Sequence, residues 1–342
     1  MAIIQAFCTV DEIYDDAESR GVLSEAKVFE KVMAASRFLA MRSDRFLPVI
    51  ETRVFGASKT STKLFLNFPV LSVTAILNDD ETLTGSDYIL QPAGRHWDNG
   101  PYSMIEVAPD ASNISAWDID ADGISITGKI GKYDASNALS ATLGAAIEST
   151  SATGMRVSDG AQVSPGMVLL LGDEWVFVRA TAAPVAAVTT ISAALDAKDE
   201  IITVADGSLL HVGEIIRIGV EQARVLDING NTVALQRGWN KTTKTTHSIS
   251  SNVDVYRNFT IERGVNGSTA ATHLINAAIQ QQVVPEDVNG LARKIATRML
   301  KDASSGYSGR VGDDATGQSI YTYIMPHELD EFLDAYRIAN VG

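Results

Sequence analysis

Two internal repeats with different but constant spacings constrain this chain more than any other feature. Val157-Ser-Asp159-Gly160, followed by Gly166, Gly172 and Glu174, recurs 47 residues later as Val204-Ala-Asp206-Gly207, followed by Gly213, Gly219 and Glu221. Arg237-Gly238-x-Asn240, with His247 ten residues after the arginine, recurs 26 residues later as Arg263-Gly264-x-Asn266 with His273. A tandem duplication has one offset, not two. In one copy Glu221 precedes Arg237 by 16 residues; in the other Glu174 precedes Arg263 by 89, and the excess of 73 equals both offsets together. One copy is therefore expected inside the other: an outer module at about 145–181 plus 258–282, and an inner module at about 190–257. Runs such as MVLLLG, EWVFVRA, EIIRIG and NTVALQRG have the length and apolar content of strands, so both copies read as small β modules with glycine at their turns.

Helical periodicity marks the flanks. Val288, Leu291, Ala292, Ile295, Ala296, Met299 and Leu300 fall on one face of a helix, with Pro285 expected as its first residue and Glu286 and Asp287 at the positive end of the dipole. The matching apolar face lies on Ser24–Arg42, through Val28, Phe29, Val32, Met33, Leu39 and Ala40, with Ser24 as cap. Thr9-Val-Asp-Glu12 has the capping-box pattern and predicts a short helix through about Asp16. Between them, Leu64–Leu66, Val70–Ile76, Tyr88–Leu90, Met104–Val107 and Ile124–Thr127 read as strands of a small, mostly antiparallel sheet, with the helix at 285 expected to cover one face. The expected fold class is α+β. Residues 1–141 and 283–342 would form the host domain and residues 142–282 an inserted all-β domain, whose removal should leave the host folded.

After Lys301 a glycine-rich passage, ASSGYSGRVGDDATGQ, reads as extended, and pattern returns at Ile320–Ile324 and in a short amphipathic helix from Pro326 to Tyr336. Such a helix is too short to stand alone in water, so residues 303–342 read as a docking arm. Tyr321, Tyr323, Leu329, Phe332, Leu333, Tyr336 and Arg337 are its candidate partner contacts.

Chemistry-bearing motifs are weak. Asp118, Asp120, Asp122 and Gly123 imitate the start of a calcium loop, but position 12 is Lys129 and the flanks read as strands, which leaves an acidic turn. Glu174, Arg263 and His273, with their counterparts Glu221, Arg237 and His247, read as turn-stabilising groups because they recur at matching positions. His96, His211 and His327 lack ligand spacing to one another. No enzyme, metal or cofactor signature is present. The net charge of −14 opposes a phosphate-binding surface, Cys8 is the only cysteine, and no run approaches membrane-spanning length, so a soluble protein is expected.

The host segments in order carry a resemblance. They are Arg45-Phe-Leu-Pro48 with Thr52 and Phe55-Gly56; Leu64-Phe-Leu66 with Pro69–Val73; Asp87-Tyr88-Ile-Leu-x-Pro92; and Pro101-Tyr102 with Ile105. They continue through Ile124–Gly128 with Gly131 and Tyr133, Pro285–Val288, and Pro326-x-Glu-Leu329 with Tyr336-Arg337. Together these segments resemble the head-to-tail adaptor (connector) proteins of tailed double-stranded DNA bacteriophages, over about 1–136 and 283–342; the insert is a departure from the family. The resemblance implies a homo-oligomeric ring, usually of twelve subunits, assembled in the host cytoplasm and located in the virion neck. Its partners would be the portal protein and a tail-side neck or tail terminator protein, with phage DNA passing through the lumen without specific binding, and with no membrane and no cofactor. A rival reading, a tail or baseplate subunit binding glycan through the β modules, requires an aromatic platform, for which Trp175 and Trp239 are the candidates.

Overall fold

The computed structural model describes residues 2–17, 20, 23–43, 45–57, 59–93, 100–304, 310–313 and 318–321. Among these residues strand dominates, in three six-stranded antiparallel sheets and one hairpin, beside three α-helices. The capping box forms: Thr9 N–H donates to Glu12 Oε2 at 2.7 Å and Glu12 N–H to Thr9 Oγ1 at 3.4 Å. It opens α1 (Val10–Ala17), which is followed by α2 (Glu25–Ser43) and, far along the chain, α3 (Glu286–Ser304). Pro285 stands just ahead of α3, where its carbonyl accepts the Asn289 N–H, so it occupies the cap position and not the first turn. Val28, Val32, Ala35 and Leu39 of α2 bury against Val288, Ala292, Ile295 and Ala296 of α3, with Ile13, Phe46 and Leu47 in the same cluster. Each buried Val, Leu, Ile or Phe side chain among them contributes about 1.5–3 kcal/mol of transfer free energy.

The first sheet contains β1 (Val49–Phe55), β2 (Lys63–Asn78), β3 (Glu81–Leu83), β4 (Tyr88–Gln91), β5 (Tyr102–Val107) and β6 (Ile124–Ile130). Its order is β1-β6-β2-β5-β4, with β3 on β2. Here the expected cover fails. The apolar stripe of α3 is spent on α1 and α2, and the sheet's core of Leu64, Leu66, Ile76, Ile105, Ile124 and Ile126 is joined instead by Ile114 and Trp117 from the β5–β6 connection. Trp117 is tethered there because its indole N–H donates to the Thr62 carbonyl at 3.2 Å.

The second sheet holds β7 (Ser136–Thr142), β8 (Gly154–Arg156), β9 (Val168–Leu171) and β10 (Glu174–Thr181). The third holds β11 (Val185–Thr190), β12 (Ile201–Thr203), β13 (Ile215–Ile218), β14 (Glu221–Asn229), β15 (Thr232–Arg237) and β16 (Asn252–Val255). The chain then returns to the second sheet as β17 (Asn258–Glu262) and β18 (Ala278–Gln282). The orders are β7-β18-β9-β10-β17-β8 and β11-β16-β13-β14-β15-β12, and each position in one is filled by the repeat counterpart of the other. In the third sheet β14 and β15 are joined by Gly230-Asn231. In the second, β10 pairs with β17, Val178 opposite Ile261, across the whole intervening module.

The outer module is fused to the helices. Val10 N–H donates to the Pro165 carbonyl at 2.9 Å and Asp11 N–H to Ser164 Oγ at 3.1 Å, so this module satisfies donors at the start of α1. Ile4 and Ala6 bury against Val168, Trp175, Phe177 and Val265, with Phe29, Met33 and Ile50 packed alongside. The expectation of a host that folds after loss of 142–282 therefore ignores a shared core: the deletion would uncap α1 and strip this cluster. At the C-terminal end, β19 (Arg310–Asp313) pairs with β20 (Gln318–Tyr321), so the glycine-rich passage contains a strand.

The matched sheet orders make a smaller deletion feasible. Ala182 and Asn258 are already bonded, N–H to carbonyl at 2.8 Å, at the place where Asn229 faces Thr232 in the inner hairpin. Replacing residues 183–257 by Gly-Asn should leave a protein with one cooperative thermal transition followed by circular dichroism. A broad, non-cooperative melt would show that the outer sheet depends on the inner one.

Candidate functional site

Each module is pinned by one buried triad. Glu221 accepts from Arg237 Nε at 2.8 Å and Nη2 at 2.7 Å, lies 2.8 Å from His247 Nε2, and accepts the Thr245 N–H at 3.0 Å. Glu174 repeats this with Arg263 Nε and Nη2 at 2.6 Å, His273 Nε2 at 2.8 Å, and the Gly264 and Ala271 N–H groups at 3.0 Å. The Arg-Gly-x-Asn repeat exists because the turn after the arginine enters the left-handed region twice: Gly238 and Gly264 have φ of 70° and 59°, and Asn240 and Asn266 both have φ of 54°. Burial alone would raise both carboxyls. The hydrogen bonds from arginine, histidine and backbone outweigh it and hold each at about 2.

A third buried carboxylate joins the modules. Glu214, fully buried, accepts from Arg257 Nε at 2.6 Å and Nη2 at 2.8 Å, from the His211 N–H at 2.9 Å and from the Gly160 N–H at 3.0 Å. Its meaning comes from the repeat. In the inner module Gly207, the counterpart of Gly160, donates to the Asn231 side chain at 3.0 Å. The outer counterpart of Asn231 is Arg257, too long to accept that bond and lacking an acceptor atom, so it carries Glu214 into place instead. Both glycines are required, because a Cβ would lie 1.9 Å from the Tyr256 carbonyl at Gly160 and 2.0 Å from that of Gly230 at Gly207.

Other sequence candidates resolve as follows. Asp118 accepts the Asp120 N–H at 3.2 Å and Gly123 N–H donates to the Asp120 carbonyl at 3.0 Å, which makes the acidic stretch a self-bonded turn. His211 is not isolated: its Nδ1 lies 3.1 Å from Arg257 Nη2. Asp159, His211 and Glu214 cluster within 4.8 Å, but both oxygens of Glu214 are held by Arg257, which a cation would have to displace. Trp175, 4% exposed, belongs to the core that holds Ile4 and offers no platform for a sugar. Trp239 has two guanidinium groups near its ring, Arg20 Cζ at 4.8 Å and Arg224 Cζ at 5.3 Å from the ring centre. Of the docking candidates, Tyr321 ends β20 opposite Arg310, and Tyr323, Leu329, Phe332, Leu333, Tyr336 and Arg337 lie outside the described residues, as do His96 and His327.

Sequence reasoning missed the N-terminal segment and the Glu214–Arg257 pair. Ile4 N–H donates to Asn266 Oδ1 at 2.6 Å and Asn266 Nδ2 to the Ile4 carbonyl at 3.0 Å, so one amide side chain reads one peptide unit from both sides. Gln5 does the same for the start of β1: its Oε1 accepts from Phe46 and Leu47 N–H at 3.0 and 2.7 Å, and its Nε2 donates to the Leu47 carbonyl at 3.0 Å. The signal for Arg257 was a break in the repeat, where a turn asparagine becomes arginine beside a glutamate whose counterpart is Met167. Among the described residues no helix is long and apolar enough to cross a membrane. Compared with protein-family models, curated proteins and solved structures, the chain matches none.

Two outcomes follow from the carboxylates. Because Glu174 and Glu221 are held below their unfolded values near 4.5, their contribution is complete above that pH and is lost as pH falls toward 2. Each should supply about 3 kcal/mol near neutrality. In urea denaturation, Glu221→Gln should be less stable than the parent at pH 7 and should lose less than the parent between pH 5 and pH 3; equal losses would refute the assignment. Arg257→Met should cost about 3–5 kcal/mol by stranding the Glu214 charge, and Glu214→Met in the same chain should restore part of it.

Proposed function

We propose that this chain is a head-to-tail adaptor of a tailed double-stranded DNA phage, a structural virion protein. In this reading copies form a ring, of twelve in the family it resembles, that sits beneath the portal, extends the DNA channel and joins capsid to tail. The reading rests chiefly on the ordered motifs between Arg45 and Tyr133 and from Pro285 to Arg337. The observation that carries it furthest is the shared helical core of residues 7–47 and 288–300, which unites the two segments bearing the resemblance. A net charge of −14 suits a lumen that must pass DNA without holding it. The C-terminal arm, through Tyr321, Tyr323, Leu329, Phe332, Leu333, Tyr336 and Arg337, is assigned to the portal protein, which leaves the opposite side of the ring to a tail-side neck or tail terminator protein.

Negative-stain microscopy of the purified chain, alone and with portal particles of the same virus, tests this directly. Closed rings stacked on the portal are expected. A chain ending at Gln318 should keep its melting temperature and lose portal binding. Particles that remain monomeric in the presence of portal, or a truncated chain that docks as well as the full one, would overturn the assignment.

A further inference from the structure

The two modules share a face, and among the described residues only one copy of it holds an extended segment. In the outer module Val168, Trp175, Phe177, Val265 and Asn266 hold the extended segment around Ile4 and Ala6, the first four by apolar contact and the last by its two hydrogen bonds to Ile4. The repeat offsets map these five onto Ile215, Gln222, Arg224, Trp239 and Asn240. All five counterparts line a single cleft of about 680 Å³ between the inner module and the α1–α2 region. The backbone that presents the key amide is unchanged: Asn240 has φ 54° and ψ 31°, and Asn266 has φ 54° and ψ 30°. Yet Asn266 is fully buried on its peptide, whereas Asn240 is exposed and donates only to Gln222 Oε1 at 2.6 Å.

We infer that this cleft is a second peptide-docking site, which takes an extended segment bearing a carboxylate from a partner polypeptide. The filled copy defines the mode, in which one asparagine amide bonds both the N–H and the C=O of a residue in an extended strand. The side chains define the partner. Where the filled face presents Phe177 and Trp175, the cleft presents Arg224 and Gln222, so an apolar segment like Ala2–Ala6 is the wrong occupant. Among the described residues Arg224 has no ion pair, its Cζ lying 5.3 Å from the centre of the Trp239 ring, while Glu25, a carboxylate of the same cleft, accepts the Thr181 N–H at 2.8 Å. Arg20, whose Cζ lies 4.8 Å from the centre of the same ring, is paired with the cleft's other carboxylates, Asp11 at 2.9 Å and Asp15 at 3.5 Å. Among the described residues Trp239 Nε1 is buried with no hydrogen-bond partner. Ile215 and the indole ring supply the apolar floor. The inference is independent of the adaptor reading, since it uses only the relation between the two modules.

Fluorescein-labelled, acetylated hexapeptides test it by anisotropy on the full chain. Ala-Ile-Ile-Gln-Ala-Phe reproduces residues 2–7, and two variants place Glu at the position of Ile4 or of Ala6, the residues that turn inward in the filled copy. At least one Glu peptide should bind saturably and at least tenfold more tightly than the parent peptide. Binding should fall at least tenfold in Asn240→Gly, which keeps the left-handed backbone, and in Arg224→Met, which keeps the aliphatic stem; both proteins should melt with the parent. Photo-crosslinks should map to Trp239 and its neighbours. No saturable binding by either Glu peptide, undiminished binding in Asn240→Gly and Arg224→Met, or crosslinks confined to the outer module, where the peptide would have displaced residues 2–6, would each overturn the proposal.

Discussion

The junction between the modules depends on one charged pair. In an ordinary hairpin such as β14–β15, a two-residue turn holds the strands and a neutral asparagine suffices to bind the neighbouring glycine. Between β10 and β17 there is no turn, only two chain ends entering and leaving another module. Glu214 and Arg257 take over the missing hydrogen bond and, because the pair is bidentate and planar, also fix the direction in which the inner module is mounted. Burying such a pair adds little net stability, but removing one partner leaves an uncompensated charge and is costly. The β10–β17 register is held separately, by the strand pairing itself and by the Arg263–Glu174 bonds that bridge the two strands.

What could be read from the sequence follows from where physics leaves a local mark. The repeats were visible because left-handed turns and close backbone approaches permit few residue types, so Asp-Gly and Arg-Gly-x-Asn persist while the strand residues between them drift. The helices were visible through their period, and Thr9 and Glu12 through reciprocal capping. The partner of each apolar face was not. The α3 stripe has the same appearance whether it meets a sheet or two helices, and the choice of helices was made by Phe46, Leu47 and Ile13, which carry no pattern. Trp117 could not be foreseen as the sheet's cover because its tether, the Thr62 carbonyl, is remote in sequence. The N-terminal segment is too short to show a period, and its role is fixed by Asn266, more than two hundred residues away.

The modules have diverged in the way duplicated surfaces do when only one copy is committed to a core. The outer face became aromatic and aliphatic and is sealed by the chain's own beginning; the inner face kept the backbone geometry and exchanged its hydrophobes for an arginine, a glutamine and a tryptophan. Architecture was retained by the turns, and chemistry was free to change on the strands.

Nesting also imposes an order of events on folding. The inner sheet is built mainly from hairpins and can close on its own, whereas β10 must wait for β17, which is separated from it by the entire inner module. Bringing those two strands together through an unstructured loop of that length costs about 4 kcal/mol of chain entropy. Once the inner sheet has formed, Ala182 and Asn258 are held side by side and the cost has already been met. The helical core can be completed only when α3, which follows both modules in the chain, joins α1 and α2. The chain therefore assembles from the inside outward, so that a fault in the innermost sheet is felt at every later step.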